Sequence, residues 1–491
     1  GGGWDGDAEI ALQLQQGDGA VAAQISLGGT TRNGGRKAAF STFLHPREGL
    51  ALSLTGYYNG SHGFYRNTTT GEHADGGDAG GARIRLAHLY SDRLKIDFTA
   101  GYEYSEGACP YFYEGAIDKS GRLTNTADDP YADLRGQISA NHAPRYRREM
   151  LNSGLDLTWR GNNFTISSIT AYQYLRDRLH MDQDFIRPDI FTLTQSQRMH
   201  NLTEEISMKS LPGRRWNWTT GVFAFYQNLN TDCPVDFYAD GIGYLNNMLS
   251  GIFSGLQQSH PQMPPMGLKL TSPSLGFRAD MFTPSIGAAL FHESTVKELF
   301  TPGLSLTVGL RLDYDHRSLE LNSGMAAPVD YSFWMGSPYA AQKKDPVSPH
   351  IDGDLSDDTW QLLPKFGLQY ELGNRLGNVY ATATKGYRAG GYNIQAYSDL
   401  GQAALQRELM LGAMGKMAAA MGQFVPAVPG VETLAYKPET SWNYEVGGKF
   451  NFFDGALRAD VAAFWMQTRN QQLARFAESG MGRIMVNAGR S

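Results

Sequence analysis

Three aromatic clusters are the densest binding chemistry in this chain: Tyr111-Phe112-Tyr113, Phe237-Tyr238 with Tyr244, and Tyr331 with Phe333-Trp334. Ring platforms suit flat, amphipathic ligands such as catecholate iron chelates, cobalamin or sugars. Arg388, Tyr392 and Asn393 are further candidates. The competing reading is that the rings pack loop against loop. A second chemistry is ion binding. Asp352-Gly353-Asp354-Leu355-Ser356-Asp357-Asp358 sets carboxylates at alternating positions, as a calcium loop does, with Asp352, Asp354 and Asp357 as ligands. Leu363 stands where the closing Glu belongs, so a solvated acidic loop explains the run equally well. Asp182 and Asp184 form another oxygen pair.

Softer ligands also occur. Leu405, Leu409, Met410, Met414, Met417 and Met421 recur at helical spacing and predict an amphipathic helix over 402–421, weakened by Gly412 and Gly415. Its thioethers could take copper(I), but an adaptable packing face is the commoner use of methionine. The two cysteines, Cys109 and Cys233, each precede a proline. A disulfide between them and a pair of buried free thiols are both open. No catalytic constellation appears: no His-Glu-x-x-His, Gly-x-Ser-x-Gly or phosphate loop. No enzyme activity and no cofactor are expected.

The elements that must position these residues follow a rhythm. Short links with turn chemistry (His45–Glu48, Ser91–Arg93, Arg160–Asn162, Leu211–Arg214, Gly373–Arg375, Asp454-Gly455) alternate with long excursions (60–80, 106–147, 230–282, 317–358, 390–438). A transmembrane β-barrel, with turns on one side and loops on the other, produces this alternation. Between the links lie dyad segments. In Leu94–Tyr104, Ile96, Phe98, Ala100 and Tyr102 share one face, and Lys95, Asp97, Thr99 and Glu103 the other. Leu304–Tyr314 and Trp442–Phe452 repeat the pattern: Leu306, Val308, Tyr444 and Val446 oppose Arg311, Asp313, Glu445 and Lys449. A face that is charged, not merely polar, fits a wet lumen, which turns the apolar face to lipid. Counting gives about sixteen strands, starting near Ala8, Arg36, Leu50, Arg83, Leu94, Met150, Asn163, Phe191, Trp216, Ile286, Leu304, Gln361, Val379, Thr440, Leu457 and Arg483, with 20–35 ambiguous between strand extension, loop and extra hairpin. Mean hydropathy is −0.37 and no apolar run approaches the length of a spanning helix. A net charge of −6 argues against nucleic acid as a partner.

Several stretches resemble the barrel of TonB-dependent outer-membrane receptors. They include Gly56-Tyr57-Tyr58 with Phe64-Tyr65-Arg66-Asn67, Ile169–Tyr172, and Thr203–Ser207 followed by Trp218–Phe223. The closest are Tyr380–Asn393, matching "Y…KGY-x-x-GG-x-N", and Lys437–Gly447, matching "PE-x-x-x-x-YE-x-G-x-K". The resemblance covers nearly the whole chain. It implies an all-β, antiparallel transmembrane barrel of about twenty-two strands, of which residues 1–491 supply about sixteen. A plug domain, a TonB box and the last strands are then expected to lie outside this chain. It further implies residence in a Gram-negative outer membrane and energised import of a small extracellular ligand, most often a ferric siderophore. The implied partners are outer-membrane lipid and TonB. The alternative is a passive porin, which alternates loop lengths in the same way.

Overall fold

The computed structural model describes residues 7–15, 21–115, 125–182, 184–373, 376–415, 425, 427–476 and 483–490. Met417 and Met421 of the expected helix, and Asn374 and Arg375 of an expected turn, fall outside them.

The chain is a meander of antiparallel strands. It opens with β1 (Asp7–Gln15), β2 (Val21–Thr30), β3 (Gly35–Arg47), β4 (Leu50–Ser61), β5 (Gly77–Leu89) and β6 (Leu94–Ala108). After a long loop come β7 (Arg145–Arg160), β8 (Phe164–Asp182), β9 (Phe191–Ser210), β10 (Trp216–Asp232) and β11 (Val235–Phe237). Helix α1 (Ala239–Ser259) precedes β12 (Met266–Leu270), β13 (Leu275–Phe282), β14 (Ser285–Val296), β15 (Leu304–Met325), β16 (Tyr331–Met335) and β17 (Gln342–Lys343). Then follow β18 (His350–Leu372), β19 (Gly377–Arg388), β20 (Gly391–Tyr392), helix α2 (Tyr397–Met414), β21 (Ala435–Tyr436), β22 (Glu439–Phe452), β23 (Leu457–Phe476) and β24 (Arg483–Arg490).

Nineteen of these strands form one sheet. β11 continues the register of β10 against β9 past Cys233-Pro234, and β13 continues that of β14 against β10 and β15 past Thr283-Pro284. The wall therefore has seventeen strand positions among the described residues. The one beyond the expected sixteen is β2, which resolves the ambiguous 20–35 as a hairpin strand between β1 and β3.

Each reversal switches ends, so loop length sorts by side. Glu48-Gly49, Tyr90–Arg93, Gly161–Asn163 and Phe453–Ala456 close hairpins at one end. The turn after β22 takes left-handed backbone at Phe453, Asp454 and Gly455, a conformation that Asp and Gly accept at least cost. Cys109, Cys233, Trp334 and Met414 lie in the long loops of the opposite end.

Side-chain alternation decides the solvent. Ile206, Val222, Leu290, Leu312 and Leu362 stand in register across β9, β10, β14, β15 and β18, and every one is exposed, Leu290 at 58%. A continuous apolar row on a water-facing wall would be an aggregation surface; toward lipid it is the stable arrangement. Trp216 and Tyr226 share that face ten residues apart, which on a tilted strand is about 25 Å, the height of the apolar band. Trp159 and Phe164 mark the turn-side belt, and Tyr172, Tyr314 with Trp360, and Trp442 with Tyr444 and Trp465 mark the other. One exception sits inside the band. Glu204 lies between Leu202 and Ile206, and its carboxylate accepts hydrogen bonds from the Ser168 (2.7 Å) and Thr170 (2.5 Å) hydroxyls. Among the described residues, no helix is long and apolar enough to cross a membrane.

The apolar core lies not inside the barrel but at its loop end. α1, α2, β12 and β16 pack on the inner face of the strand extensions, around Leu193, Val235, Phe277, Ala279, Met281, Leu319 and Leu321. Each side chain of this size removed from water contributes about 1.5–3 kcal/mol, so the fifth, sixth and seventh outer loops are bonded to the wall by an ordinary globular core. The alternation that faces lipid below thus becomes apolar-in above.

Candidate functional site: a charged lumen beneath an aromatic mouth

The inward alternates carry the charge the sequence placed there. Asp97 takes both Arg85 (2.6 Å) and Lys95 (3.3 Å). Arg148 pairs with Glu103 at 2.7 Å, Arg311 with Asp313 at 2.8 Å, and Lys365 with Glu293 at 2.8 Å. The Tyr380 hydroxyl donates to Glu445 at 2.7 Å. These pairs join neighbouring strands or next-but-one residues, except Lys365–Glu293, which reaches from β18 over Gly309 of β15 to β14, so each carboxylate keeps a partner while the lumen stays wet. Tyr57, beside outward-facing Tyr58, faces inward and lines a recess of about 570 Å³ with Arg83, Thr99, Glu103 and Asn152. An apolar outer wall around an ion-paired lumen is the defining structure of an outer-membrane barrel.

At the mouth, the candidate aromatics separate into packed and open sets. Phe237 and Phe333 are buried in the loop core, Phe237 stacked on Phe191 at 5.2 Å. Tyr113 is buried beneath the third loop with its hydroxyl on Asp129 (2.9 Å); burial first, then that carboxylate, pushes its pKa up to about 12. Trp334 is partly covered, Tyr238 lies on the His142 ring at 4.8 Å, and Tyr392 donates to the Arg317 carbonyl. Arg388 is exposed at the top of β19.

What remains open is Tyr111 and Phe112, each about two-fifths exposed, and Tyr244 on α1, 60% exposed. Tyr111 pairs with Phe185 at 4.9 Å and Phe112 with Tyr65 at 5.1 Å. Beside them Phe64, 58% exposed, lies under the Arg32 guanidinium. The second, third and fourth outer loops therefore present one aromatic surface. Phe64, Tyr65 and Phe185 are not binding candidates in the sequence, because single aromatics in loops carry no period. The left-handed backbone of Phe185 (φ 59°) has no sequence signal either.

Beneath this surface, Asp182 and Asp184 fasten the loops together. Asp182, buried, accepts from the Asn141 and His142 amides; Asp184 accepts from those of Ile186, Ile190 and Phe191. Burial raises both carboxyls, and the neighbouring Asp182 charge helps push Asp184 up to about 7. His142 also meets Asp189 at 3.0 Å, and the Asp189 amide donates to Asp240 on α1. The oxygen pair read from sequence is a clamp among three loops.

Two expectations are corrected. Asp352–Asp358 is not a loop but part of β18, so Asp352 and Asp354 share one face, Asp357 points to the other, and the three cannot converge on a cation. No cluster of three ligating side chains forms among the described residues. The cysteines are not bridged. Cys109 tops β6 and Cys233 is held in β10's line by its amide on the Ala279 carbonyl. Four strand spacings separate them, about 19 Å along the sheet, far beyond disulfide reach. Burial raises both thiols, that of Cys233 up to about 12. The expected helix exists as Tyr397–Met414, starting earlier than read, and Leu405, Leu409, Met410 and Met414 are packed in the core.

The same architecture recurs in solved receptors. Residues 99–491 match the family described as TonB dependent receptor-like, beta-barrel. This chain belongs to that family, whose members are outer-membrane barrels of Gram-negative bacteria and are transporters, not enzymes. It is similar to the ferric yersiniabactin uptake receptor FyuA from Yersinia pestis, at 17% identity and TM-score 0.60 over 97% of this chain and 57% of that one. It is also similar to the ferric-catecholate import receptor Fiu from K12 E. coli (closed form), at 13% and 0.50 over 98% and 60%. The ferripyoverdine receptor of Pseudomonas aeruginosa, bound to ferripyoverdine, matches at 12% and 0.50 over 94% and 50%. The chain thus spans between half and three-fifths of the length of these receptors.

Proposed function

We propose that this chain is the barrel of an active importer that captures a ferric siderophore from outside the cell and passes it inward with energy supplied by TonB. The observation that carries the reading is the mouth. Tyr65, Tyr111, Phe112 and Phe185 form one aromatic surface across three loops, while Tyr113, Phe237 and Phe333 are buried. Rings of this kind stack on the flat face of a chelate and contribute on the order of 1 kcal/mol each beyond area burial. The similar receptors named for ferric yersiniabactin and ferripyoverdine favour an iron chelate over other flat ligands. A passive porin fits less well, because residues 99–491 match the receptor barrel family.

The test uses the full-length receptor in iron-starved cells with a panel of ferric siderophores. One ferric siderophore should support growth only when TonB is present. Tyr111→Ala with Phe112→Ala should weaken its binding roughly tenfold while the amount of folded barrel is unchanged. Growth on every chelate without TonB would identify a passive pore. Unchanged binding in the double variant would remove these loops from the site.

A further inference from the structure

Above the loop-side aromatic belt, the outer wall divides by charge. One in-register outward row runs Arg176, Arg198, Asn230, Phe282, Glu320 and Asp354 across β8, β9, β10, β13, β15 and β18. In the row above it, Arg178 stands on the basic side and Asp232, Asp280 and Asp352 on the acidic side. Glu149, opposite Arg176, and the pull of Arg178 on Asp232 temper this contrast without removing it. The charged members of both rows are exposed. The two halves form the sides of a trough of about 930 Å³ with Asn230 and Phe282 in its floor.

The row changes sign about its own centre. Arg198 and Glu320 each lie about 7 Å from the midpoint between Asn230 and Phe282, and Arg176 and Asp354 each about 12 Å. A two-fold axis along the membrane normal, facing that midpoint, sets the basic half of one copy against the acidic half of another. We propose that this wall joins two copies of the receptor in an isologous dimer. Within one copy, Arg176 stands opposite Arg198 and Glu320 opposite Asp354, and like charges so placed are destabilising. Pairing the copies gives each half its opposite. Strand tilt offsets the facing rows, and an arginine side chain is long enough to cover about one row.

The lipid band beneath suits the same contact. Glu204 lies three rows below Arg198 on β9, and Ala224 and Ala288 continue its row on β10 and β14. Two alanines among Leu202, Tyr226 and Ile286 leave a shallow where a second wall can approach closely. A carboxylate within the band is disfavoured against lipid, and a neighbouring copy takes it out of lipid. Both copies share one membrane, so equal depths meet. Facing charges fix partner and orientation, while the band below supplies contact area.

The test co-expresses two differently tagged full-length copies, solubilises them in neutral detergent at low salt and recovers them by one tag. Parent copies should co-purify. Arg198→Glu in both copies should cut recovery of the second tag about tenfold, and Glu320→Arg in both should do the same. A copy carrying Arg198→Glu with a copy carrying Glu320→Arg should co-purify as the parent does, because every facing pair is again of opposite sign. Arg214→Glu at the turn end should change nothing. Should a reversal lower the yield of folded barrel, Arg198→Gln must still weaken pairing. Parent copies that do not co-purify, or recovery indifferent to both reversals, would overturn the proposal. Failure of the mixed pair would overturn it as well, and would assign this wall to a partner other than a second copy.

Discussion

Val308→Arg is the sharpest test of which face meets lipid. Val308 lies on β15 four residues above its turn-side start, so on a tilted strand it sits about 10 Å up an apolar band of about 25 Å, near the midplane. It is 41% exposed, and its register partners are Ser294 and Phe366, neither able to neutralise a guanidinium. An arginine at such a site costs about 2–4 kcal/mol, on the order of a 30- to 1000-fold fall in the folded-to-unfolded ratio. Thr307, its neighbour, faces the lumen beside Thr295 (2.9 Å), where water and nearby carboxylates can serve the new charge. Thr307→Arg should therefore cost less than about 1 kcal/mol. The assay is a denaturant titration of the full-length receptor in phospholipid vesicles, comparing both variants with the parent at equal lipid. Equal costs at 307 and 308, or a larger cost at 307, would refute the assignment of faces and with it the membrane reading.

Three further outcomes follow from the loop end and the turns. Because the folded Asp184 carboxyl keeps its proton up to about pH 7, the native clamp binds more protons than the unfolded chain between about pH 4 and pH 7. Its contribution is therefore full at the acid end of that window and lost as pH rises through 7. Amide-exchange protection factors of Asn141, His142 and Ile190 should fall across that window, and Asp184→Asn should flatten the change. Cys233, fully buried in the core, should resist maleimide in the folded receptor while half-buried Cys109 reacts slowly; mass spectrometry of the native protein should count two free thiols. A Cβ at Gly377 (φ +125°) would fall 1.8 Å from the Lys449 carbonyl oxygen, whereas one at Gly386 meets only Ser441 at 3.7 Å. Gly377→Ala should thus cost at least about 1–3 kcal/mol and lower the yield of folded barrel, with Gly386→Ala close to parent.

The membrane-spanning part of the fold was legible because one side chain in two meets lipid. Strand starts read at Leu50, Leu94, Phe191, Trp216, Leu304 and Leu457 coincide with the observed ones. The misplaced starts share a location: β5 begins at Gly77 rather than Arg83, β7 at Arg145 rather than Met150, and β18 at His350 rather than Gln361. All three are loop-end starts. There the outer face meets water and the apolar period inverts, so Asp352 and Asp354 on an outward face read as a loop. Helix α1 was missed although Ile242, Leu245, Leu249, Phe253 and Leu256 recur at helical spacing; a long excursion between strands had been taken as irregular throughout. The site was only half legible. Aromatic density found Tyr111 and Phe112, but which rings stay open depends on how the loops pack, and no local pattern in the sequence encodes it.

The two loop groups are held by different physics, and this bears on where a path for ligand can open. The fifth, sixth and seventh loops share the large core with the wall extensions, so displacing them exposes Phe237, Phe277, Leu319 and Met410 together. Uncovering four such side chains costs on the order of 6–12 kcal/mol, too much for a motion made in every transport cycle without loss of structure. The third and fourth loops rest on a cluster of three buried residues, Tyr113, Leu134 and Ile186. They are otherwise tied by polar contacts: the Asp182 and Asp184 clamp, His142 to Asp189, and Arg187 to Asp133 at 2.9 Å. Polar ties exchange with water at small net cost, so these loops can shift while the rest of the cap stays fixed. They also carry Tyr111, Phe112 and Phe185. The surface best suited to grip a ligand is thus mounted on the part of the cap that is cheapest to move.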